Sequence, residues 1–580
     1  MSPVRKPALR GRRLFVALWR LVRVYWTSPD AKWGALLLAG AVALEIGAVQ
    51  AVVFVSDAQR RSVEALEHRD AGAFAHMVAL FLGLSLLSVL VSAGRVYARQ
   101  LLEVRWRRGL TGHYLGRWIG GQAYGQAQLH GGEIDNPDQR IAEDVRDFVA
   151  SALGLSLSLL AAVATLVSFG GLLWRLSSGW VVPLGGVERQ VPGLLLWVAI
   201  GFALVSMWLT HLVGRRLVPI NYDRFRFEAD FRYGLVRFRD HVEQVALGGG
   251  EAVERLGAVE RFRHVVDVVL QLVRAEFELG IVTASLGRLS SLVPLLVAAP
   301  SYFAGLVTLG LIVQTRIAYD QVSGSLSWFV NAYREIARWR ANVERLSTFA
   351  DVMDETGRDL ARSGIRIAAA PQASIRLVDV RLEVPGGRAI LEGANASVGA
   401  GDRVALLGAP GRGKTILFRA LAGVWPFGSG RIERPGRERM LFLPQRPYLP
   451  IGTLRAVVSY PAAEGSLDDA RIGEALALVG LEHLAPRLGA TEPWEQQLAA
   501  HEQQLLAIAR ALLQQPEWLL LDEATSGLDE ETERRVTELL LARLPRAGVL
   551  AAGLRPGALA LLPRRWTLAE RDGRGILQAA

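Results

Sequence analysis

The stretch "VALLGAPGRGKTILFRAL", residues Val404–Leu421, decides the fold of the second half of the chain. It begins with an apolar run that predicts a short buried strand, and it ends with the apolar spacing of a helix. The loop between them, "GAPGRGKT", fits the pattern G-x-x-x-x-G-K-[ST] of phosphate-binding loops. Glycines let such a loop curl so that amide groups at the start of the helix point at phosphate oxygens. The stretch therefore predicts a nucleotide-binding α/β domain.

The lysine of this loop is informative because only three of the 66 basic residues are lysine. We expect Lys414 to place its charge on the β- and γ-phosphate oxygens of ATP, and the Thr415 hydroxyl to ligate Mg²⁺. The residues expected to bind the phosphates are Gly408, Ala409, Pro410, Gly411, Arg412, Gly413, Lys414 and Thr415.

Two later segments supply the other groups that ATP hydrolysis needs. In "EWLLLDEATSGLD" (Glu517–Asp529), an apolar strand leads to Asp522, which we expect in the Mg²⁺ shell, and to Glu523, which is placed to polarise the attacking water. In "LFLPQRPYLPIGTLR", Gln445 follows a short apolar strand and is within reach of Mg²⁺ and the water. The expected catalytic residues are therefore Glu523 and Gln445, and the expected Mg²⁺ ligands are Thr415, Gln445 and Asp522.

The first half of the chain is apolar enough for a membrane. Of the 580 residues, 51% are hydrophobic, and the mean hydropathy is +0.24. A helix needs about 20 mostly apolar residues to cross a bilayer. The candidate spans are Trp33–Val55, Phe74–Val96, Leu153–Leu173 and Gly193–Val213, and two more lie between Ile281 and Val330. Six spans predict a helical membrane bundle fused to the α/β domain.

These features divide the chain into four parts. Residues 1–30 are expected to form a basic amphipathic segment, 31–350 a six-helix membrane domain with long cytoplasmic extensions, 351–372 a linker, and 373–580 the nucleotide-binding domain. No cleavable signal peptide is expected at the start. Arginines concentrate in the N-terminal segment and after the second span, and this bias places both, together with the nucleotide domain, in the cytoplasm.

The net charge of +10 does not indicate a nucleic-acid partner, because the arginines are spread over loops at membrane ends. The absence of cysteine excludes disulfides, cysteine-ligated zinc and a thiol nucleophile. Glu45 lies in the middle of the first span, in "AVALEIGAVQ". An ionisable group there is costly, so Glu45 is either functional or held by an interhelical hydrogen bond or a water-filled cavity.

Membrane spans followed by these motifs resemble an ABC transporter half, with one membrane domain and one nucleotide-binding domain. Four segments resemble the SbmA/BacA-type membrane domain and the peroxisomal fatty-acyl transporters of ABC subfamily D: "NPDQRIAEDV" (Asn136–Val145), "FEADFRYGLVRFRDHVE" (Phe227–Glu243), "YFAGLVTLGLIVQ" (Tyr302–Gln314) and "ARWRANVERL" (Ala337–Leu346). The resemblance implies an exporter-type fold in the bacterial inner membrane. It also implies a solute of the antimicrobial-peptide, bleomycin, cobalamin or fatty-acyl type.

The resemblance also implies a second half, identical or different, because two halves sandwich each ATP between one phosphate loop and the partner's signature segment "LSGGQ" or "LSGGE". Here that segment is degenerate and consists of Leu498, Ala499, Ala500, His501 and Glu502. The family's switch histidine is replaced by Leu554 in "AAGLR". We expect the side chain of His501 to obstruct an approach that glycine normally permits.

Three functions remain open from the sequence. The first is an ATP-driven transporter half for a peptide-like or amphipathic solute, with turnover that is weak or dependent on a partner half. The second is a proton-driven carrier of the SbmA type, in which the nucleotide domain is regulatory or vestigial and Glu45 takes the proton. The third is an ATP-binding membrane regulator without solute flux.

Overall fold

The computed structural model describes residues 12–120, 136–178, 181–184, 187–361, 364–370, 374–385, 387–571 and 574–579. The chain divides into two compact units, one of residues 1–113 and 138–348 and the other of residues 114–137 and 349–580. The start of the expected basic segment, residues 1–11, lies outside the described residues.

The first unit is built almost wholly from helices. They are α1 (Arg12–Trp26), α2 (Ala31–Glu67), α3 (Ala71–Leu115), α4 (Val145–Ser177), α5 (Leu194–Gly214), α6 (Leu217–Asp240), α7 (Val242–Gly248), α8 (Glu251–Phe303), α9 (Leu309–Leu326) and α10 (Trp328–Ala361), whose last residues belong to the second unit. Short helical turns at Gly116–Gly120, Pro137–Gln139 and Arg140–Asp144 lie between α3 and α4, and the antiparallel strands β1 (Val181–Leu184) and β2 (Val187–Gln190) follow α4.

Five described helical stretches are long and apolar enough to cross a membrane: Ala31–Glu67, Ala71–Gly120, Pro137–Ser177, Leu194–Gly214 and Glu251–Phe303. The sixth expected span falls on α9, which has 18 residues and includes Arg316 and Asp320. Its 18 residues are less apolar than the most apolar 18-residue window in each of the other five stretches, so α9 does not qualify as a span by length and composition. Helix α8, with 53 residues, is far longer than the about 20 residues that a span requires.

The core of the first unit joins α4, α5, α8 and α9. Phe169, Leu195, Ala298 and Tyr319 are almost completely buried within one cluster of apolar side chains. Such burial removes apolar area from contact with the surroundings and fixes how these helices pack.

The amphipathic helix α1 docks through one aromatic residue. Tyr25 is fully buried, and its ring stacks on Trp106 of α3. A Cβ atom at Gly34 would lie 2.5 Å from the Tyr25 hydroxyl, and one at Gly109 would lie 2.9 Å from its ring. The two glycines therefore make room for the aromatic ring that holds α1.

The second unit contains two sheets. The strands are β3 (Gly364–Ala369), β4 (Ser374–Glu383), β5 (Ala389–Gly399), β6 (Arg403–Leu407), β7 (Gly428–Arg434), β8 (Met440–Pro444), β9 (Trp518–Asp522), β10 (Gly548–Ala552), β11 (Arg564–Arg571) and β12 (Arg574–Ala579). The larger sheet has the order β12-β11-β6-β10-β9-β8, and the smaller has the order β3-β7-β4-β5. The helices of this unit are α11 (Lys414–Ala422), α12 (Leu454–Ser459), α13 (Asp469–Val479), α14 (Ala500–Gln514) and α15 (Glu530–Arg543).

Within the segment expected to be a linker, residues 351–372, most of the described residues belong to a helix or a strand. Its first part continues α10, and Gly364–Ala369 forms β3, which pairs in parallel with β7 from Gly364–Ser429 to Ala369–Arg434. A lone apolar alternation in "GIRIAA" is too short to identify a strand, because its pairing partner lies about 65 residues later in the chain.

Strands β6, β8, β9 and β10 run parallel, so their carboxyl ends meet at one edge of the larger sheet. In open α/β sheets, ligands bind at this edge. The phosphate-binding loop, Gln445, Glu523 and Leu554 lie in the loops that follow these four strands, and Asp522 is the last residue of β9.

Candidate nucleotide-binding site

The phosphate-binding loop connects β6 to α11. Gly411 and Gly413 have φ angles of 79° and 91°, which glycine adopts without strain, and Lys414 is the first residue of the helix. The Lys414 Nζ donates a hydrogen bond to the Gly408 carbonyl oxygen, 2.8 Å away. This contact folds the lysine back over its own loop, in the position from which an ammonium group contacts phosphate oxygens.

Thr415 and Asp522 lie side by side at the sheet edge. The Thr415 hydroxyl donates to Asp522 Oδ1 over 3.3 Å. Burial raises the pKa of Asp522 above its usual value, the charge of Glu523 adds to this rise, and the hydrogen bond from Thr415 acts against it. A bound cation would stabilise the ionised form of this carboxylate.

Mg²⁺ fits this pair of residues. The ion prefers oxygen ligands and is usually bound by one or two carboxylates together with substrate phosphates, rather than by a cage of protein ligands. Thr415 and Asp522 supply a hydroxyl and a carboxylate beside the phosphate loop. Within the described ranges, no group of three or more histidine, cysteine, aspartate or glutamate residues could hold a metal by itself.

Glu523 has a backbone conformation that is rare for a residue with a side chain. Its φ is 53°, in the left-handed region. Its carboxylate lies 3.9 Å from the Lys414 Nζ. A Cβ atom at Gly553 would lie 2.6 Å from Glu523 Cγ, so the loop after β10 needs a glycine there to accommodate the glutamate.

Gln445 belongs to a chain of amide contacts at the edge of the site. Its side-chain Nε2 donates to Ser526 Oγ over 3.4 Å, and its backbone carbonyl oxygen accepts from Gln504 Nε2 over 2.9 Å. Gln504 in turn accepts from the Gly527 amide, 2.9 Å away. Gln504 is 5% exposed and was missed from the sequence, where it looks like one of several glutamines on a helix.

The loop after β10 is anchored by a buried carboxylate. Glu533 is fully buried and accepts from the Thr525 hydroxyl over 2.5 Å and from the Arg555 amide over 3.1 Å. Arg555 also donates to the Ser526 and Leu528 carbonyl oxygens. The sequence did not identify Glu533, because it lies in the acidic run "DEETER", which is typical of an exposed helix start.

Leu554 lies at the expected switch position, beside the phosphate loop. Together with Gly408, Lys414 and Gly553 it lines a cavity of about 140 Å³ at the ends of β6 and β10. Its side chain is partly buried and packs against the core of the domain. A leucine there offers no hydrogen-bond donor to a phosphate.

The degenerate signature begins α14 without any special backbone. Ala499 has φ −62° and ψ 155°, and none of Ala500, His501 and Glu502 has a positive φ. The Ala499 amide donates to the Glu502 carboxylate over 2.9 Å, which caps the helix start. Leu498 is buried below. The helix start is therefore intact, although serine and both glycines are replaced.

Glu45, in the first unit, is held by a partner from the next helix. The Arg95 Nη1 donates to Glu45 Oε2 over 3.0 Å, and the Glu45 side chain is only 7% exposed. The interhelical contact is thus present, as an ion pair between α2 and α3. The sequence did not identify Arg95, which lies 50 residues away.

Comparisons with known proteins show the family. Residues 21–303 match ABC transporter transmembrane region 2, and residues 391–526 match ABC transporter. The chain is 34% identical to the ABC transporter ATP-binding protein sll0182 of Synechocystis, over 82% of this chain and 72% of that one. It is 29% identical to the inner membrane ABC transporter ATP-binding protein YddA of Escherichia coli, over 96% and 97%. It is 30% identical to the chloroplastic ABC transporter D family member 2 of Arabidopsis thaliana, over 90% and 82%.

The transmembrane match covers most of the first compact unit together with residues 114–137 of the second, and the ABC transporter match lies within the second unit. The relatives align over most of both chains. The chain therefore belongs to the ABC transporter family, as a half in which a helical membrane region is fused to an ATP-binding domain, with homologues in subfamily D.

Proposed function

We propose that this chain is one half of a dimeric, ATP-driven transporter that moves a peptide-like or amphipathic solute across the bacterial inner membrane, with its ATP-binding domain in the cytoplasm. The observation that carries the proposal is the convergence of Lys414, Thr415, Asp522 and Glu523 at one sheet edge. The homology to an inner membrane protein of Escherichia coli supports the location.

Each of these residues has a distinct task in the proposal. The loop amides and Lys414 bind the β- and γ-phosphates, and Thr415 and Asp522 hold Mg²⁺, which neutralises charge on the transferred phosphoryl group. Glu523 orients the attacking water, and Gln445 reaches the same place from the adjacent loop. The pairing of Lys414 with Glu523 over 3.9 Å keeps both groups in place before nucleotide binds.

A second half completes the site. The N-terminal turn of α14 carries exposed Ala499, Ala500 and His501, and the first amides of a helix have no partner within the helix and favour an anion. In the proposed dimer this turn covers the nucleotide on the partner's phosphate loop. The partner is a second copy or a related half.

A polar cavity in the first unit supports the proposal that the solute is charged. A cavity of about 470 Å³ lies between the start of α4 and α10 and is lined by Asp147, Ser151, Glu335, Arg338 and Arg345, among others. Carboxylates and guanidinium groups together suit a solute with both charges, such as a peptide. The resemblance to SbmA/BacA-type domains favours the same class.

The test is steady-state ATP hydrolysis by the purified full chain in lipid nanodiscs, with Glu523→Gln and Lys414→Ala as controls. Hydrolysis above both variants is expected, because the phosphate-binding residues and Glu523 are in place. Activity equal to that of Glu523→Gln would require a different partner half. ATP binding that survives Lys414→Ala would exclude the phosphate loop as the site.

The proton-driven alternative requires a carboxyl group that gains and loses a proton. Glu45 is the candidate in the first unit, where its carboxylate is paired with Arg95 over 3.0 Å. The ATP-driven proposal expects uptake in proteoliposomes to need ATP and to survive an uncoupler. The opposite result would favour the carrier.

A further inference from the structure

When both halves of the proposed dimer are copies of this chain, two departures from the family pattern belong to the same composite site. Each nucleotide there lies between the phosphate loop of one chain and α14 of its partner. Leu554 lies beside the phosphate loop, and His501 lies in the first turn of α14. The chain that binds the phosphates thus has the apolar Leu554 at this site, and its partner adds the polar side chain of His501.

Leu554 cannot donate a hydrogen bond from its side of the site. Its loop is held in place by Glu533 and Arg555, and its side chain faces the small cavity beside Gly408 and Lys414. No movement of the side chain changes its chemistry. The γ-phosphate of a nucleotide on this loop therefore receives no imidazole contact from its own chain.

His501 is available for such a contact. It is the second residue of α14, it is exposed, and within the described ranges its imidazole makes no hydrogen bond or ion pair. The neighbouring Glu502 is occupied by the Ala499 amide and by His483, whose Nε2 lies 3.4 Å from the carboxylate. The imidazole of His501 is thus free to donate a hydrogen bond to a group outside its own chain.

We propose that His501 donates, from the partner chain, the imidazole hydrogen bond to the γ-phosphate that Leu554 cannot supply. The inference rests on the proposed two-half function, with two copies of this chain as the halves. Each composite site then keeps one imidazole, moved from the chain that binds the phosphates to the chain that covers them. The regular helix start, with no positive φ from Ala499 to Glu502, accommodates a side chain at this position.

Nucleotide affinity tests this inference independently of turnover. The full chain carrying Glu523→Gln is placed in nanodiscs, and its affinities for ATP and ADP are measured with and without His501→Gly. ATP affinity is expected to fall about 10-fold and ADP affinity less than about 2-fold, because a hydrogen bond to a charged oxygen is lost only with ATP. Adding Leu554→His to His501→Gly is expected to restore ATP affinity, whereas Leu554→Phe, which lacks a donor, is not.

Three results would overturn the inference. ATP affinity that is unchanged or tighter in His501→Gly would mean that the histidine only obstructs the site. Equal losses for ATP and ADP, or rescue by Leu554→Phe, would indicate an effect on folding or packing. If Lys414→Ala bound ATP as tightly as the parent, the proposed function itself would fail, and the inference with it.

Discussion

Among single residues of the site, Asp522 has a pKa that its surroundings change. Burial raises its pKa, and the neighbouring charge of Glu523 acts in the same direction. The protonated form, which is a poor Mg²⁺ ligand, therefore persists to a higher pH than it does for an ordinary aspartate. Acidification and metal binding compete for the same oxygen atoms.

We expect the advantage that Mg²⁺ gives to ATP binding to shrink as the pH falls, and to do so at a higher pH than for an aspartate whose pKa is not raised. The ratio of ATP affinities with and without Mg²⁺ measures it, and taking a ratio reduces the effect of titration of the nucleotide. In Asp522→Asn the ratio is expected to be small at every pH. A pH-independent ratio in the parent chain would contradict this account.

A second prediction for a single residue concerns the buried Glu533. Glu533→Ala leaves the Thr525 hydroxyl and the Arg555 amide without their acceptor, at a cost of about 1–3 kcal/mol for each buried donor. The midpoint of thermal unfolding of the ATP-binding domain should fall. The matched control is Glu538→Ala on the same helix, which breaks only the exposed pair with Arg534 and is expected to cost less than about 1 kcal/mol. Equal midpoints would contradict a structural role for Glu533.

The sequence predicted those parts of the site that lie within one strand–loop–helix unit. Lys414 and Thr415 adjoin a glycine loop, and Asp522 and Glu523 end an apolar strand, so local patterns suffice for both pairs. Glu533 and Gln504 could not be found in this way. Their partners lie 8 to 59 residues away, and neither residue type is normally buried.

Among the helices, the contact between α2 and α9 depends on one glycine. Thr308 caps α9, and its hydroxyl also donates to Glu64 over 3.0 Å, while the Leu309 amide donates to Glu67 over 3.1 Å. A Cβ atom at Gly310 would lie 2.5 Å from the Arg60 carbonyl oxygen. The start of α9 is therefore as close to α2 as backbone atoms allow.

Gly310→Ala should lower the midpoint of thermal unfolding of the purified chain, because α9 must move away from α2. Gly324→Ala is the matched control, since it is the same exchange in the same helix with no atom within 4 Å. Alanine in place of glycine inside a helix normally stabilises by about 0.5–1 kcal/mol. If Gly310→Ala, like Gly324→Ala, unfolded at the midpoint of the parent or above it, the close approach of α9 to α2 would not need a glycine at residue 310.

The ion pair between α2 and α3 can be tested by exchanging the charges. Removing one partner of a buried pair costs about 3–5 kcal/mol, and the exposure of Arg95 lowers that figure here. Arg95→Ala and Glu45→Ala should each reduce the monodisperse fraction in size-exclusion chromatography, and Glu45→Arg combined with Arg95→Glu should recover part of it. A stable Glu45→Gln variant that loses all uptake would instead indicate a proton site.

The boundaries of elements were predicted less well than their existence. Apolar length alone identified α2, α3, α4 and α5. It placed the last two expected spans only between Ile281 and Val330, because Arg288 and Arg316 interrupt the apolar run. Likewise β3 was expected as linker, since a short strand at a sheet edge is identified by its hydrogen-bonding partner and not by its own residues.

For the whole molecule, the side of the membrane on which each part lies follows from the number of spans. The chain contains no cysteine, so a single introduced cysteine is the only thiol that a reagent can label. With six spans, His68→Cys, between α2 and α3, should react with a membrane-impermeant maleimide in intact cells. Ala462→Cys, in the ATP-binding domain, should react only after the inner membrane is opened. Labelling of both residues from the same side would exclude the proposed topology.

The left-handed backbone of Glu523 also has an evolutionary consequence. Holding a residue with a side chain at φ 53° costs about 1–2 kcal/mol, which glycine would avoid. A lineage selected only for a stable fold would gain by exchanging this glutamate, and it would then be free to lose Gly553, which makes room for it. The presence of both residues is therefore what the proposed activation of water by Glu523 requires, and a stable fold alone does not require it.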